Sequence, residues 1–268
     1  MHLKYRISEE AMSSEDLCCL VRHMSECFPN SGSIIHQGRN CIRVMAINGL
    51  ESQGIRQVVV KRYHRPNIFQ RFDYSFIRHS KARRSFDHGR CMLKRGISTP
   101  LPLAFVEEWQ KGMYQRSYYV CAFHDGFIFK KEMVHNPQLV KACGHFVARM
   151  HQQGIVHGDL NPANILCRKD DSCPDGYQFT LVDINRSRIF KGPAPLRKSR
   201  KDFATFSGEP SIFEPFIRQY FQTRLVKGDS IMESILRERD KSGRRYNFLK
   251  RIFRPFKESY YRLLENNS

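Results

Sequence analysis

The sequence lacks any apolar run close to the roughly 18–20 residues that a membrane-spanning helix requires. Its first ten residues, MHLKYRISEE, carry charges where a signal peptide is continuously apolar, so we expect a cytoplasmic protein. The nine cysteines form no C-x-x-C pair and no regular framework, which is typical of thiols in a reducing compartment. This pattern excludes a disulfide-built fold and does not favour a structural zinc site.

Acidic residues are also scarce, because 26 Asp and Glu stand against 45 Lys and Arg, a formal net charge of +19. A protein this basic is expected to bind polyanions, and nucleic acid, anionic membrane and phosphorylated metabolites all stay open. The chain has 268 residues, 41% of them hydrophobic, which is enough for one large domain or two lobes and excludes overall disorder.

The first half of the chain has the pattern of strands around one helix. Residues 57–61 (QVVVK) and 117–123 (SYYVCAF) are rich in β-branched and aromatic side chains and predict buried strands. Residues 81–95 predict a helix between them, with Ser80 as its N-cap and Gly96 as its C-terminal stop. A proline-rich segment then leads into another short strand, which gives the order strand, helix, strand, strand.

The second half of the chain has a mainly helical pattern. An apolar stripe runs through residues 139–152, and two short strands are predicted at 165–167 and 179–182. We therefore predict an α+β fold with a small strand-rich lobe over residues 1–123 and a mainly helical lobe over residues 124–268. A cleft between two such lobes is the natural place for a ligand.

A polar loop carries the clearest functional signal. It reads HGDLNPANIL from His157 to Leu166, and Asp183 follows it in the segment LVDIN. This arrangement resembles the catalytic loop and the metal-binding segment of the two-lobed protein-kinase-like fold. By that resemblance Asp159 orients the acceptor hydroxyl and takes its proton, while Asn164 and Asp183 bind Mg²⁺ through oxygen atoms. The alternative is a turn whose polar side chains cap backbone groups.

A lysine and a carboxylate are expected to bind the nucleotide together. Lys61 ends its strand, as does the kinase-fold lysine that binds the α- and β-phosphates of ATP. Asp87 is the candidate partner on the following helix, where kinases more often have Glu. Each residue also has an ordinary explanation, since a lysine at a strand end and an aspartate on a basic helix are commonly solvated.

Two segments are expected to enclose the rest of the nucleotide. The phosphate-covering loop is predicted around Gly32 and Gly38, assisted by Arg39, although two glycines six positions apart do not form a G-x-G-x-x-G motif. Adenine is expected to meet the backbone of residues 121–124, which include Cys121 and Phe123.

The segment after Asp183 departs from the protein-kinase pattern. Ile184 and Asn185 stand where those enzymes have Phe and Gly, and no A-P-E motif follows. Asn161 also stands where serine/threonine kinases have a Lys. The acceptor is therefore expected to be a small or lipid-linked molecule.

A longer set of motifs is more specific. Four segments are similar to the lipopolysaccharide kinase (Kdo/WaaP) family over most of residues 30–205: VVVKRYHRPNIFQRFDYSFIRHSKARRSFDHGRCMLKRGISTPLPLAFVE, SYYVCAF, HGDLNPANIL and LVDINRSRIF. The resemblance implies ATP- and Mg²⁺-dependent phosphorylation of a sugar hydroxyl, on Kdo or heptose, in the inner core of lipopolysaccharide at the cytoplasmic side of the inner membrane. It gives nucleotide, base and metal roles to Lys61, Asp159, Asn164 and Asp183.

Two basic tracts fit a lipid-linked acceptor in an anionic membrane. They lie within residues 61–84 and 244–257, and the second carries apolar residues at helix spacing. An ordinary C-terminal helix packed on its lobe is the other explanation of the second tract. Arg186 and Arg188 are candidates to meet a carboxylate or phosphate of the acceptor.

Three alternative functions stay open. A phosphotransferase of the aminoglycoside or choline kinase kind shares the loop, but its cationic acceptor would need a more acidic site. An atypical protein kinase is the second alternative. The third is a non-catalytic kinase-like module that binds membrane or nucleic acid through its positive charge. No nucleic-acid-reading module is recognisable, so nucleic acid is not an expected partner.

Overall fold

The computed structural model describes residues 2–206, 209–225 and 235, which form two compact units. Unit 1 holds the chain up to Glu132 together with Ala163–Ile189, and unit 2 holds Met133–Pro162 and the described residues from Phe190 onward. Ala163–Ile189 returns to unit 1 because its two longer strands extend a small sheet that begins at Phe127. The lobe boundary expected at residue 124 stays a prediction.

Unit 1 is built on a six-stranded antiparallel sheet. Its strands are β1 (His2–Ile7), β2 (Ser33–Gln37), β3 (Cys41–Ala46), β4 (Gln57–Arg62), β5 (Pro102–Gln110) and β6 (Met113–Ala122). Their order across the sheet is β1-β5-β6-β4-β3-β2. The strands predicted at 57–61 and 117–123 are confirmed as β4 and as the C-terminal part of β6.

The sequence of β4 explains how the sheet presents one face to the core. Successive side chains of a strand point to opposite faces, so Val58 and Val60 share one face and Val59 and Lys61 share the other. Val58 and Val60 are fully buried in a hydrophobic cluster, and Lys61 keeps partial access to solvent. The strand therefore anchors itself through valines and leaves its lysine on the opposite face.

Five helices accompany this sheet in unit 1. They are α1 (Glu15–Arg22), α2 (Met24–Asn30), α3 (Ile68–Phe76), α4 (Lys81–Lys94) and α5 (Phe129–Glu132). The helix predicted at 81–95 is confirmed as α4: Oγ of Ser80 accepts the amide of Arg83 at 3.1 Å, and Gly96 has φ = +71° where the helix stops. The predicted order omitted α3, which lies between β4 and α4.

The remaining elements complete both units. They are β7 (Phe127–Ile128), α6 (Pro137–Gln152), β8 (Ile155–Val156), β9 (Ile165–Lys169), β10 (Tyr177–Leu181), β11 (Arg188–Ile189), α7 (Leu196–Phe206) and α8 (Pro210–Arg224). Strands β10, β9 and β7 form a three-stranded antiparallel sheet in unit 1. The helix predicted at 139–152 and the strands predicted at 165–167 and 179–182 are confirmed as α6, β9 and β10.

The described residues of unit 2 are mainly helical, with the short strand β8, and α6 packs against α8. Asn136 caps α6, since its Oδ1 accepts the amide of Leu139 at 2.9 Å. A Cβ atom at Gly144 would collide with the backbone carbonyl of Phe216, so glycine permits the close approach of these two helices. No helix within the described part of the chain is both long and apolar enough to cross a bilayer.

Candidate active site

A cavity of about 680 Å³ opens in unit 1 between the large sheet, α4 and the segment that follows β10. Its volume lies within the range of small-molecule sites, and apolar side chains such as Ile35 and Leu166 contribute much of its wall. Five of the residues singled out in the sequence line it: Lys61, Cys121, Phe123, Asn164 and Asp183. The fold therefore gathers candidate residues from four separate parts of the chain.

An ion pair defines the polar end of the cavity. Nζ of Lys61 lies 2.6 Å from Oδ1 of Asp183, and the side chains are 14% and 35% exposed. The same Oδ1 accepts a hydrogen bond from Nδ2 of Asn185 at 2.6 Å. Lys61 and Asn185 thus both donate to the Asp183 carboxylate and orient it.

The β9–β10 hairpin explains why Asn164 and Asp183 meet although nineteen positions separate them. Ile165 pairs with Leu181 in this antiparallel hairpin, so the residues just outside the pair lie at the same end. The amide of Val182 donates to the carbonyl of Asn164 at 2.9 Å, which closes that end. Asp183 then takes φ = +57°, a left-handed conformation that aspartate tolerates better than most residues and that clusters at functional sites.

The donor set at this end of the hairpin fits Mg²⁺. The Asp183 carboxylate and the Asn164 side-chain amide both present oxygen atoms, which this hard cation prefers, and both line the same cavity. Mg²⁺ commonly takes only one or two protein ligands and completes its shell with phosphates and water. Two such residues beside a lysine therefore suit a metal that arrives with a nucleotide.

The structure places Asp87 away from Lys61. The Asp87 carboxylate lies 3.7 Å from Nε of Arg83, and Asp87 borders a different cavity beside β1. Ser85 is the α4 residue that lines the cavity of Lys61, and its Oγ lies 2.8 Å from the hydroxyl of the buried Tyr63. The expected Lys61–Asp87 pair therefore finds no support in the ion pairs of this structure, and its existence stays a prediction.

A residue of α4 that the sequence did not indicate contacts the segment that follows Asp183. Nδ1 of His88 lies 3.0 Å from the carbonyl oxygen of Ile184, the residue after Asp183. Burial lowers the pKa of His88, so the ring is neutral near pH 7 and acts as a hydrogen-bonding group. His88 therefore links α4 to the residue after Asp183.

The glycines of the predicted phosphate loop have other positions. Gly32 precedes β2 with φ = +68°, and a Cβ atom there would collide with the carbonyl of Val44, so this glycine serves the close packing of β2 on β3. The amide of Gly38 donates to the carbonyl of Asn40 at 3.1 Å within the turn. In the described part of the chain, the hairpin residues that line the cavity are Ile35, His36, Asn40 and Ile42. The role of the two glycines in covering phosphate stays a prediction.

The segment expected to meet adenine borders the cavity at the end of β6. The amide of Ala122 donates to the carbonyl of Leu101, and the amide of Phe123 donates to the carbonyl of Gln57, each at 2.9 Å. These two backbone donors are therefore engaged within the protein. Burial raises the pKa of the Cys121 thiol to about 12, although the nearby Lys61 opposes this, and the thiol is therefore protonated near neutral pH. Cys121 therefore lines the cavity as a protonated thiol.

Cations gather near Asp183 on the same unit. Burial lowers the pKa of Lys81 at the start of α4, and repulsion from Arg39, Arg186 and Arg84 lowers it further. Arg39 and Arg186 were named from the sequence as phosphate- or acceptor-binding candidates, and both are exposed. This arrangement concentrates positive potential beside the carboxylate and favours anionic ligands.

The loop that carries Asp159 belongs to unit 2 and is held by a residue that the sequence did not indicate. Asp202 of α7 is fully buried, and its carboxylate accepts the amides of His157 at 2.8 Å and Gly158 at 2.7 Å. Gly158 has φ = +81°, a conformation that favours glycine. The carbonyl of Asp159 then accepts the amide of Asn161 at 2.7 Å. One carboxylate therefore fixes the backbone that presents the candidate base.

A buried histidine completes this support. Nε2 of His151 lies 3.2 Å from Oδ2 of Asp202, and Nδ1 lies 2.9 Å from the hydroxyl of Tyr220. Burial lowers the pKa of His151 and raises that of Tyr220 to about 12. A neutral ring can donate from Nε2 to Asp202 and accept the Tyr220 hydroxyl at Nδ1. With this tautomer both ring nitrogens of His151 have a hydrogen-bond partner.

Comparison with known proteins connects these features to one family. A sequence model of the lipopolysaccharide kinase (Kdo/WaaP) family matches residues 47–209. Among solved structures, the chain is similar to WaaP in complex with acyl carrier protein, with a TM-score of 0.58 and 16% identity over 90% of this chain and 99% of that one. The family and the kinase-like α+β fold expected from the sequence are confirmed, and membership of a kinase family agrees with the expected enzyme class, a phosphotransferase.

Curated relatives match over shorter segments. A probable myosin light chain kinase of Dictyostelium discoideum is 34% identical over 79 residues, which are 30% of this chain and 18% of that protein. A probable serine/threonine-protein kinase of the same organism is 36% identical over 58 residues, or 22% of this chain and 4% of that protein. The chain thus spans less than a fifth of the length of these relatives.

Proposed function

The chain belongs to the lipopolysaccharide kinase (Kdo/WaaP) family, and we propose that it transfers the γ-phosphate of ATP to a sugar hydroxyl, on Kdo or heptose, of a lipopolysaccharide inner-core precursor. The observation that carries this proposal is the shared cavity of Lys61, Asn164 and Asp183. Phosphoryl transfer depends mainly on positioning and charge stabilisation, and these three side chains supply both.

ATP is proposed to occupy the cavity with its base against apolar walls and its phosphates near Lys61. The Lys61 ammonium would neutralise phosphate charge in a partly buried position, where such contacts are stronger than in water. Asn164 and Asp183 would hold Mg²⁺, which when bound stabilises negative charge on the transferred phosphoryl group. Asn185 and His88 keep the Asp183 segment in position through the hydrogen bonds already described.

Asp159 is proposed to orient the acceptor hydroxyl and to take its proton as the bond to phosphorus forms. The amides of the two residues before Asp159 are held by Asp202, which orients the loop at Asp159. A carboxylate held by a rigid backbone loses little conformational entropy when it engages the hydroxyl.

The acceptor is proposed to be anionic and lipid-linked, and the protein to meet it at the cytoplasmic surface of the inner membrane. The cationic group of Lys81, Arg39 and Arg186 near Asp183 favours a substrate that carries phosphate or carboxylate groups. The structural neighbour WaaP was solved in complex with acyl carrier protein, an example of a related fold beside a partner that carries acyl chains.

The decisive experiment measures transfer of labelled γ-phosphate from Mg·ATP to lipid A–core precursors. Asp159→Asn is expected to lower the rate about 10²–10⁴-fold, because the proton acceptor is lost while the shape is kept. Omission of Mg²⁺ is expected to abolish labelling. Asp171→Asn changes an exposed carboxylate close to the strand β9 and serves as the matched control, with activity like that of the wild type.

Different failures of this assay have different meanings. ATP binding without labelled glycolipid would refute the proposed acceptor and leave the fold assignment intact. Labelling that survives Asp159→Asn would refute the proposed base. A protein that does not bind ATP at all would refute the kinase activity itself and favour a basic binding module.

A further inference from the structure

Helix α3 sits on the sheet with its polar side inward. Nε of Arg71 donates to the carbonyl of Tyr114 at 3.0 Å, and Oγ of Ser75 accepts the Tyr114 amide at 3.0 Å. The ring of Tyr74 packs edge-on against that of Tyr114, with centroids 5.3 Å apart. Three residues of α3 therefore anchor the helix on β6 largely through polar contacts.

The apolar side of α3 faces solvent. Ile68, Phe69, Phe72 and Phe76 are 59%, 83%, 55% and 67% exposed, and Ile77 just after the helix is 72% exposed. At 100° per residue the four helical positions fall within one arc of about 100°. Surface helices ordinarily turn such a stripe to the core, and contiguous exposed apolar patches mark interaction sites. The orientation of α3 is therefore the reverse of the usual one.

The chain around this patch is strongly basic. Residues 61–84 contain eight Lys or Arg and one acidic residue, Asp73, which lies 3.7 Å from Arg78. Arg65 and Arg78, at the two ends of the helix, are exposed. An anionic bilayer has an apolar interior and negatively charged headgroups at its surface. An apolar stripe bordered by cations is complementary to such a bilayer.

We propose that α3 docks the protein on an anionic membrane surface. The four apolar side chains of the helix, joined by Ile77, enter the boundary between headgroups and acyl chains, and the flanking cations meet the headgroups. The helix has nine residues and a length of about 14 Å, so it lies in the interface and does not cross it. The inference rests on the proposed function for its purpose, since docking brings unit 1 to a lipid-linked acceptor.

Vesicle binding tests the docking helix directly. Sedimentation with phosphatidylcholine vesicles that contain 30% phosphatidylglycerol compares the wild type with Phe69→Gln/Phe72→Gln. The affinity of the double variant for these vesicles is expected to be at least ~10-fold lower. Met12→Gln/Val134→Gln removes two apolar side chains that are 60% and 54% exposed elsewhere and is expected to bind like the wild type. Equal binding by the α3 variant and the wild type would overturn the proposal.

A local probe separates insertion from loose electrostatic adsorption. The single tryptophan, Trp109, is buried, so a Phe69→Trp substitution adds one exposed indole against a constant background. Its emission is expected to shift to shorter wavelength on anionic vesicles and to be quenched by brominated acyl chains. Vesicle binding without either change would overturn insertion of α3.

Two other occupants of the patch are outcomes of the same tests. If Phe69→Gln/Phe72→Gln weakens binding to an acidic acyl carrier protein and leaves vesicle binding unchanged, α3 is a protein-docking helix and the proposal is wrong. It is equally wrong if the variant converts a wild-type dimer to a monomer in sedimentation velocity while vesicle binding is unchanged. Phosphate transfer to a delipidated acceptor sugar is measured in parallel. If the wild type binds vesicles normally but transfers no phosphate to this sugar, the proposed function is refuted and the docking role of α3 is not.

Discussion

Nζ of Lys61 lies 2.6 Å from Oδ1 of Asp183, so a strand of the large sheet and the end of the β9–β10 hairpin meet in one ion pair. The lysine side chain is only 14% exposed and has lost most of its hydration, and the carboxylate compensates its charge. A phosphate that enters the cavity would find this cation already fixed in direction. The pair thus prepares the site for an anionic ligand.

Removal of the Lys61 ammonium should therefore affect catalysis more than folding. Lys61→Met is expected to lower kcat/KM for ATP about 10²–10³-fold, and Lys61→Arg is not expected to restore it, because the planar guanidinium needs a different geometry. Steady-state kinetics with the labelled-phosphate assay gives the values.

Asp87→Asn is the matched comparison for Lys61. Its carboxylate pairs with Arg83 near the surface, so kcat/KM is expected to stay within ~3-fold of the wild type. A loss as large as that of Lys61→Met would show that Asp87 is the functional partner of the lysine when ATP is bound.

The contact of α4 with Ile184, the residue after Asp183, depends on a glycine. A Cβ atom at Gly89 would lie 2.6 Å from Cγ of Pro102 and 3.2 Å from Cδ1 of Ile184. Gly89→Ala gains about 1 kcal/mol of helix propensity but overpacks a buried contact, which costs typically 1–3 kcal/mol. We expect lower stability in urea unfolding together with reduced activity, because Ile184 follows Asp183. Gly192→Ala, where a Cβ meets nothing within 4 Å, is the control. Stabilisation by Gly89→Ala would show that the helix can shift without cost.

Asp202→Asn should destabilise unit 2 and slow catalysis together. Oδ2 of Asp202 accepts the His157 amide and Oδ1 accepts the Gly158 amide, so the NH2 group of asparagine would face one of these backbone donors in place of an acceptor, which costs about 2–4 kcal/mol of unfolding free energy. Glu214→Gln, in an exposed ion pair with Arg218, should change stability by less than ~1 kcal/mol. Urea unfolding measures both variants. Similar stabilities for the two would mean that the loop amides have other acceptors in solution.

The buried His151 predicts a direction for the pH dependence of stability. Burial lowers the pKa of His151 in the folded protein, although Asp202 opposes this, whereas in the unfolded chain the ring titrates near pH 6.5. Below about pH 6.5 the unfolded state therefore binds more protons, and stability falls as the pH falls toward the folded pKa. Urea midpoints at pH 7.5 and 5.5 are expected to differ less in His151→Gln than in the wild type. An unchanged difference would place the titration on other groups, such as His88.

Elements with strong local signals were predictable from the sequence. The valine run of β4, the Ser80 cap and Gly96 stop of α4, and the apolar stripe of α6 each act over a few residues, and all were confirmed. The loop with Asp159 and the residues Asn164 and Asp183 were predicted as site residues because their spacing fits a known pattern. The structure adds the reason, which is the register of the β9–β10 hairpin.

Other features depend on orientation or on distant contacts that a sequence does not display. Asp87 lies two positions after Ser85, and two positions turn a helix by about 200°, so it points away from the cavity that Ser85 lines. Helix α3 escaped recognition because the usual reading of an apolar stripe assumes that the stripe is buried. Asp202 meets loop amides 44 and 45 residues earlier in the chain, and its neighbours Lys201 and Phe203 form no motif.

A single carboxylate connects the fold of unit 2 to its chemistry. Asp202 belongs to α7, yet it fixes the backbone two residues before Asp159 and holds a buried ring that in turn contacts α8. Local openings of a protein occur well below its global unfolding temperature. If α7 separates from the loop in such a local opening, activity is lost at a temperature below that of global unfolding. A thermal inactivation curve would then measure local opening within unit 2.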